Sequence, residues 1–208
     1  PGIYVSSSDN NIFRDNTIED NTGGAIDLYN SDNNTIEDNT IEDNYNDAIE
    51  LSGSDSNTIS GNTITGSTDD GIYLTGSDSN TISDNTISDN DGYGIHLSSS
   101  DSNTISDNTI EDGRDSGIYL SSSDSNTISN NTIEDGWDDF DSGIYLTGSD
   151  SNTIANNTIR DNTGHGIYLS YSDDNKIWYN LIKGETAGNT YWDGVHLYVG
   201  SGGNLIIS

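Results

Sequence analysis

One position in a short recurring motif carries side chains that can bind a ligand or move a proton. The motif is a small residue, Ile, a variable residue and Leu. Its variable position reads Tyr4, Asp27, Glu50, Tyr73, His96, Tyr119, Tyr145, Tyr168 and His196. In an extended chain this position points away from the face its apolar neighbours share, so the nine form one outward row. Asp27 and Glu50 are neighbours in that row. Carboxyl groups about 5–5.5 Å apart match the pair of a retaining glycosidase. Among 36 acidic residues such a pair also arises by chance, and no aromatic insertion or basic residue sits in their loops to bind substrate. Asp27 and Glu50 are therefore weak catalytic candidates. From Tyr73 to His196 the row holds six consecutive rings. Rings spaced about 4.5–7 Å apart stack on one another, which is the favoured reading. The same strip offers flat faces to sugar rings.

Two insertions flank this strip. One carries Trp137 and Phe140, the other Tyr191 and Trp192, and His165 falls between them. Both precede an aromatic motif strand, so both leave the same corner, and irregular loops carry function more often than regular elements do. Tyr119, Trp137, Phe140, Tyr145, His165, Tyr168, Tyr191, Trp192 and His196 form the candidate carbohydrate-binding set. The alternative is that the loop aromatics fold back as local lids.

These residues are positioned by a repeat. The motif Ile recurs as Ile3, Ile26, Ile49, Ile72, Ile95, Ile118, Ile144, Ile167 and, as valine, Val195, at spacings of 23 residues apart from one of 26 and one of 28. Two Asn-Thr-Ile triplets follow in most units, as at Asn57-Thr58-Ile59 and Asn62-Thr63-Ile64. Alternation over so few residues marks strands, and the Ser, Asp, Asn and Gly between them form turns. Three strands per unit of constant length predict an all-β, right-handed parallel β-helix of about nine coils. Coils then stack about 4.8 Å apart. Four aliphatic columns fill the predicted core. Each core side chain contributes roughly 1.5–3 kcal/mol on burial, so a coil holds only against its neighbours. The invariant Asn before each triplet Ile reads as a structural ladder of stacked amides.

Asp stacks as well, at Asp9, Asp32, Asp55, Asp78, Asp101, Asp124, Asp150 and Asp173. Unit charges about 4.8 Å apart repel by roughly 0.9 kcal/mol even in bulk water. Salt screening or bridging Ca²⁺ relieves this. Asp55, Asp78, Asp101 and Asp124 are weak Ca²⁺ candidates; adaptation to high salt, or an Asp that simply caps its own turn and tolerates the repulsion, is preferred to specific Ca²⁺ sites. The net charge of −31 argues against nucleic acid and anionic membranes as partners. No apolar run approaches the roughly 20 residues of a membrane helix. The chain has neither Cys nor Met, so disulfides say nothing about its compartment.

The Asn-Thr-Ile and Gly-Ile-x-Leu motifs together resemble the parallel β-helix repeat family, most closely its NosD-like, or CASH, branch. The resemblance covers nearly the whole chain and implies export, with carbohydrate binding or hydrolysis in many members. Copper-site assembly, known in some relatives, has little support from three His and no Cys or Met. The sequons at Asn33, Asn130 and Asn156 allow N-glycosylation in an exported chain. One β-helix domain is expected, either a piece of a longer protein or a subunit that stacks end to end. The favoured function is a non-catalytic extracellular or cell-surface solenoid, a structural or filament component contacting a polysaccharide or surface glycan. The alternative is a carbohydrate-active enzyme, hydrolase or lyase-like.

Overall fold

Residues 23 apart in the sequence lie side by side. In the computed structural model, Ile3 pairs with Ile26, Ile26 with Ile49 and Ile72 with Ile95, all in parallel register. The structure describes residues 1–134, 136, 142–184 and 193–207. Among the described residues, twenty-six strands form three parallel sheets of nine, nine and eight strands. The first sheet runs from Ile3–Ser6 to Val195–Leu197, the second from Ile12–Arg14 to Leu205–Ile207, and the third from Thr17–Glu19 to Leu181–Lys183. Each of the first eight coils contributes one strand to each sheet, as the repeat predicts, and the ninth contributes to the first two. No helix occurs among the described residues, and none is long and apolar enough to cross a membrane.

The four aliphatic columns meet inside. Ile49, Leu51, Ile59 and Ile64 of one coil are fully buried, as are Ile72, Leu74 and Ile82 of the next. The small residue ahead of each motif Ile has a packing cause. A Cβ at Gly71 would lie 2.6 Å from Ile87 Cγ2 and 2.7 Å from the Gly94 carbonyl oxygen. At this column the backbone lies against the Ile of the third sheet, and nothing larger than the Ala25 and Ala48 side chains is found there.

Ladders hold the corners. Asn62 donates through its backbone N–H and its side-chain Nδ2 to Asn85 Oδ1, both at 3.0 Å. Its Nδ2 also reaches the Ile36 carbonyl one coil back at 3.0 Å. A Ser column adds a second set, with Ser54 N–H donating to Ser77 Oγ at 3.0 Å and Ser77 N–H to Ser100 Oγ at 3.1 Å. The Asp column runs with the opposite polarity. Asp55 Oδ1 accepts the Asp78 amide at 2.8 Å, Asp78 Oδ1 that of Asp101 at 2.7 Å, and Asp101 Oδ1 that of Asp124 at 2.7 Å. Charge-assisted bonds of this kind are stronger than neutral ones, and each satisfies an amide that the turn leaves unpaired. Asp84, Ser56 and Gly61 take left-handed conformations at φ 58°, 59° and 67°. Among L residues, short polar side chains tolerate that region best.

Candidate active site

The outward row of the first sheet is continuous. Tyr4 pairs with Asp27, Asp27 with Glu50, Glu50 with Tyr73, and Tyr73 with His96, and the register carries on to His196. The rings do stack. Centroid separations are 4.7 Å for Tyr73–His96, 4.9 Å for His96–Tyr119, 5.0 Å for Tyr119–Tyr145, 4.9 Å for Tyr145–Tyr168 and 5.3 Å for Tyr168–His196. All six are half-buried, so each keeps part of its surface toward solvent. Burial, followed by the flanking tyrosines, raises the pKa of Tyr145. Trp137, Phe140, Tyr191 and Trp192 lie outside the described residues.

A second column borders this row and carries most of the chemistry. It is the position two residues before each motif Ile, at the corner entering the first sheet. It reads Pro1, Gly24, Asp47, Asp70, Tyr93, Ser116, Ser142, His165 and Asp193. The backbone stacks these residues over one another. Asp47 Oδ1 accepts the Asp70 amide at 3.0 Å, and Asp70 Oδ1 accepts the Tyr93 amide at 2.7 Å. Asp70 is buried, and its Oδ2 lies 2.8 Å from His96 Nδ1. A carboxylate on Nδ1 holds the proton there and leaves Nε2 as the basic nitrogen. Tyr73 and Tyr119 flank the imidazole, and Tyr93 meets it edge-on at 5.0 Å.

The carboxyl groups around this histidine differ in environment. One oxygen each from Asp47, Asp69 and Asp70 lie within 4.8 Å of one another. Burial first, and then the Asp70 charge, push the Asp47 pKa up to about 7. Burial and then Asp70 also raise Asp69. Burial raises Asp27, and burial with the Asp27 charge raises Glu50. The pair proposed from sequence therefore does share adjacent coils, and it lies beside a larger acid–base cluster. Asp47, Asp69, Asp70, Tyr93 and Asp193 were not among the sequence candidates. For all but Asp69, the available signal is that this column changes residue type where the ladder columns stay constant.

Further along the same face, His165, Asp193 and His196 form a second cluster. Asp193 Oδ2 lies 2.7 Å from His196 Nδ1, and the Asp193 amide donates to His165 Nδ1 at 3.0 Å. The two imidazoles are 4.4 Å apart. Burial, and then His196, lower the pKa of His165. Asp55, Asp78, Asp101 and Asp124 lie at a different corner, each with one carboxylate oxygen bonded to the next coil.

A parallel solenoid bearing this cluster on one outward face defines the class of protein. The chain matches the right-handed β-helix region family over residues 1–133 and again over 71–208, and it belongs to that family. No curated protein matches it by sequence. Among solved structures it is similar to the A-module of the Azotobacter vinelandii mannuronan C-5 epimerase AlgE6, with a TM-score of 0.86 and 16% identity over 96% of this chain and 58% of that one. It is similar to the periplasmic alginate epimerase AlgG, with a TM-score of 0.70 and 18% identity over 89% of this chain and 47% of the other. It is also similar to the DFA-IIIase of Arthrobacter chlorophenolicus A6 in complex with GF2, with a TM-score of 0.73 and 16% identity over 89% of this chain and 51% of that one. The chain thus spans less than two thirds of each of these structures.

These neighbours correct the functional preference drawn from sequence. A non-catalytic surface or filament solenoid was favoured because no acid and base visibly interrupted the repeat. The three solved structures named above are carbohydrate-processing enzymes, and the corner column brings carboxyl groups and an imidazole together beside the outward row. The expectation of a non-enzyme gives way to the carbohydrate-active alternative.

Proposed function

We propose that the chain is a carbohydrate-active enzyme module that cleaves or transfers glycosidic bonds in a polysaccharide laid along the outward row of the first sheet. The observation that carries this reading is the His96–Asp70 contact of 2.8 Å, caged by tyrosines beside Asp47. Asp70 orients His96, whose Nε2 takes a proton from the attacking water or hydroxyl. Asp47 stays protonated up to a pH of about 7 and donates its proton to the departing glycosidic oxygen. A carboxylic acid kept neutral by its surroundings is the usual general acid of such chemistry. The ring row from Tyr119 to His196 holds the sugar units on the far side of the cluster.

Charge points to a neutral glycan. Five carboxyl groups line or border the cluster, on a chain of net charge −31. Such a field repels a polyanion such as mannuronan at moderate ionic strength. The similar alginate epimerase AlgG is a periplasmic enzyme, which supports export, in keeping with the extracellular expectation.

The raised Glu50 beside Asp27 favours a second reading, a glycosidase pair independent of His96. One assay separates the two. Purified protein is incubated with neutral and uronate polysaccharides, with reducing ends, unsaturated ends and ¹H NMR as readouts. Turnover of a neutral polymer is expected, together with a roughly 10²–10⁴-fold loss in His96→Gln and a smaller loss in Glu50→Gln. Loss in Glu50→Gln with His96→Gln unimpaired moves the chemistry to the carboxylate pair. No turnover of any polymer rejects both.

A further inference from the structure

We infer that His165, Asp193 and His196 form a binding site for a divalent transition metal of the Zn²⁺ type, separate from the His96 cluster. Two imidazoles and a carboxylate each offer one donor atom, and the three atoms lie within 4.8 Å of one another. Imidazole with a single carboxylate is the donor set of Zn²⁺ and its first-row neighbours. Ca²⁺ and Mg²⁺ instead take mostly oxygen. The ligands come from stacked coils. His165 and Asp193 occupy the same corner position of successive coils, and His196 stands on strand Val195–Leu197 one step into the sheet. Their backbones are joined by hydrogen bonds from Ile167 N–H to the Gly194 carbonyl and from Gly166 N–H to the Asp193 carbonyl, at 2.9 and 3.1 Å. Little chain entropy remains to be lost on binding.

The hydrogen bonding suits a metal. Asp193 Oδ2 and His196 Nδ1 lie 2.7 Å apart, so the proton they share is the one that a metal held by both atoms displaces. At His165, Nδ1 accepts the Asp193 backbone amide at 3.0 Å, a neutral hydrogen bond that a metal replaces at modest cost. Three protein ligands leave a fourth position for water. The His96–Asp70 pair provides the internal control. It has the same imidazole–carboxylate contact, but tyrosines where the second cluster has a second imidazole.

Cobalt(II) absorption and zinc calorimetry test this in molar NaCl, which screens loose binding to surface carboxylates. The expected result is one metal per chain, with visible Co²⁺ bands that Zn²⁺ abolishes. His165→Gln and His196→Gln should each weaken binding at least tenfold, and His96→Gln should leave it unchanged. Circular dichroism and the melting temperature of the metal-free variants verify that they fold, and Asp193→Asn supplies a third arm with minimal change of shape. Wild-type affinity in the His165→Gln/His196→Gln double variant overturns the proposal. Loss of binding in His96→Gln, or no Co²⁺ spectrum in the wild type, does the same.

Discussion

Asp47 is the residue at which environment most changes chemistry. Its ordinary carboxyl pKa of 3.8 is pushed up to about 7, chiefly by burial. As the general acid it must hold its proton, so kcat/KM should fall above a pH of about 7, and Asp47→Asn should lose most activity at every pH. The same shift governs stability. The folded chain binds the Asp47 proton more tightly than the unfolded chain does, so this group favours folding below pH 4. Its contribution is lost as pH rises from about 4 through about 7. Asn keeps the oxygen that accepts the Asp70 amide and carries no charge. Asp47→Asn should therefore match the wild type in acid and melt roughly 3–6 °C higher at pH 8, after allowance for partial exposure. Equal melting curves at pH 8 reject the buried-acid assignment. The sequence hid this residue for a physical reason. Its column is not part of the alternating strand pattern, so neither period nor hydropathy marks it. Only the amide-to-carboxylate bonds from Asp70 to Asp47 and from Tyr93 to Asp70, and the reach of Asp70 to His96, turn four scattered residues into a cluster. The row from Asp27 to His196, by contrast, was legible because alternation dictates which way a strand residue points.

At the scale of the coil, the Asn column does what a capping residue does elsewhere, and it does so at every level of the stack. Asn85 donates to Asn108 Oδ1 and to the Ile59 carbonyl, and it accepts from both nitrogens of Asn62, all at 3.0 Å. Leucine has nearly the same volume and none of these bonds. Asn85→Leu should cost about 3 kcal/mol or more, because it strands buried polar groups on both adjacent coils. Thr86→Val, on the outward side of the next strand, should stay within about 0.5 kcal/mol. Urea unfolding of the two variants measures the difference, and similar midpoints would mean that the ladder contributes little. Regularity of this kind is why the fold could be read without a structure. Ile72 and Ile95 had to share an environment because the apolar, Asn and turn residues between them recur in phase. Where phase is lost, around Trp137 and Trp192, the repeat offers no rule for placement. The Ser column at Ser54 and Ser77 went unnoticed because serine at a turn is expected on turn grounds alone.

The whole molecule is a rod whose charge is stacked in columns. Eight Asp carboxylates from Asp9 to Asp173 recur coil by coil, and neighbours about 4.8 Å apart repel by roughly 0.9 kcal/mol in water. Against that, each Oδ1 accepts an amide of the next coil, as Asp55 does from Asp78 at 2.8 Å. The bond is local and survives salt, whereas the repulsion acts through solvent and is screened over about 3 Å in molar salt. Adding salt therefore removes the cost and keeps the benefit. Melting temperature should rise by roughly 5–10 °C between dilute buffer and molar NaCl. Calcium at matched ionic strength should add nothing. With Oδ1 committed to an amide, Asp55, Asp78, Asp101 and Asp124 each have one oxygen left, and Ca²⁺ takes six to eight oxygens in all. A rise confined to CaCl₂ would assign the column to that ion. One melting temperature in all three solutions would mean that the amide bonds alone offset the repulsion, and the high-salt explanation of this acidity would be lost.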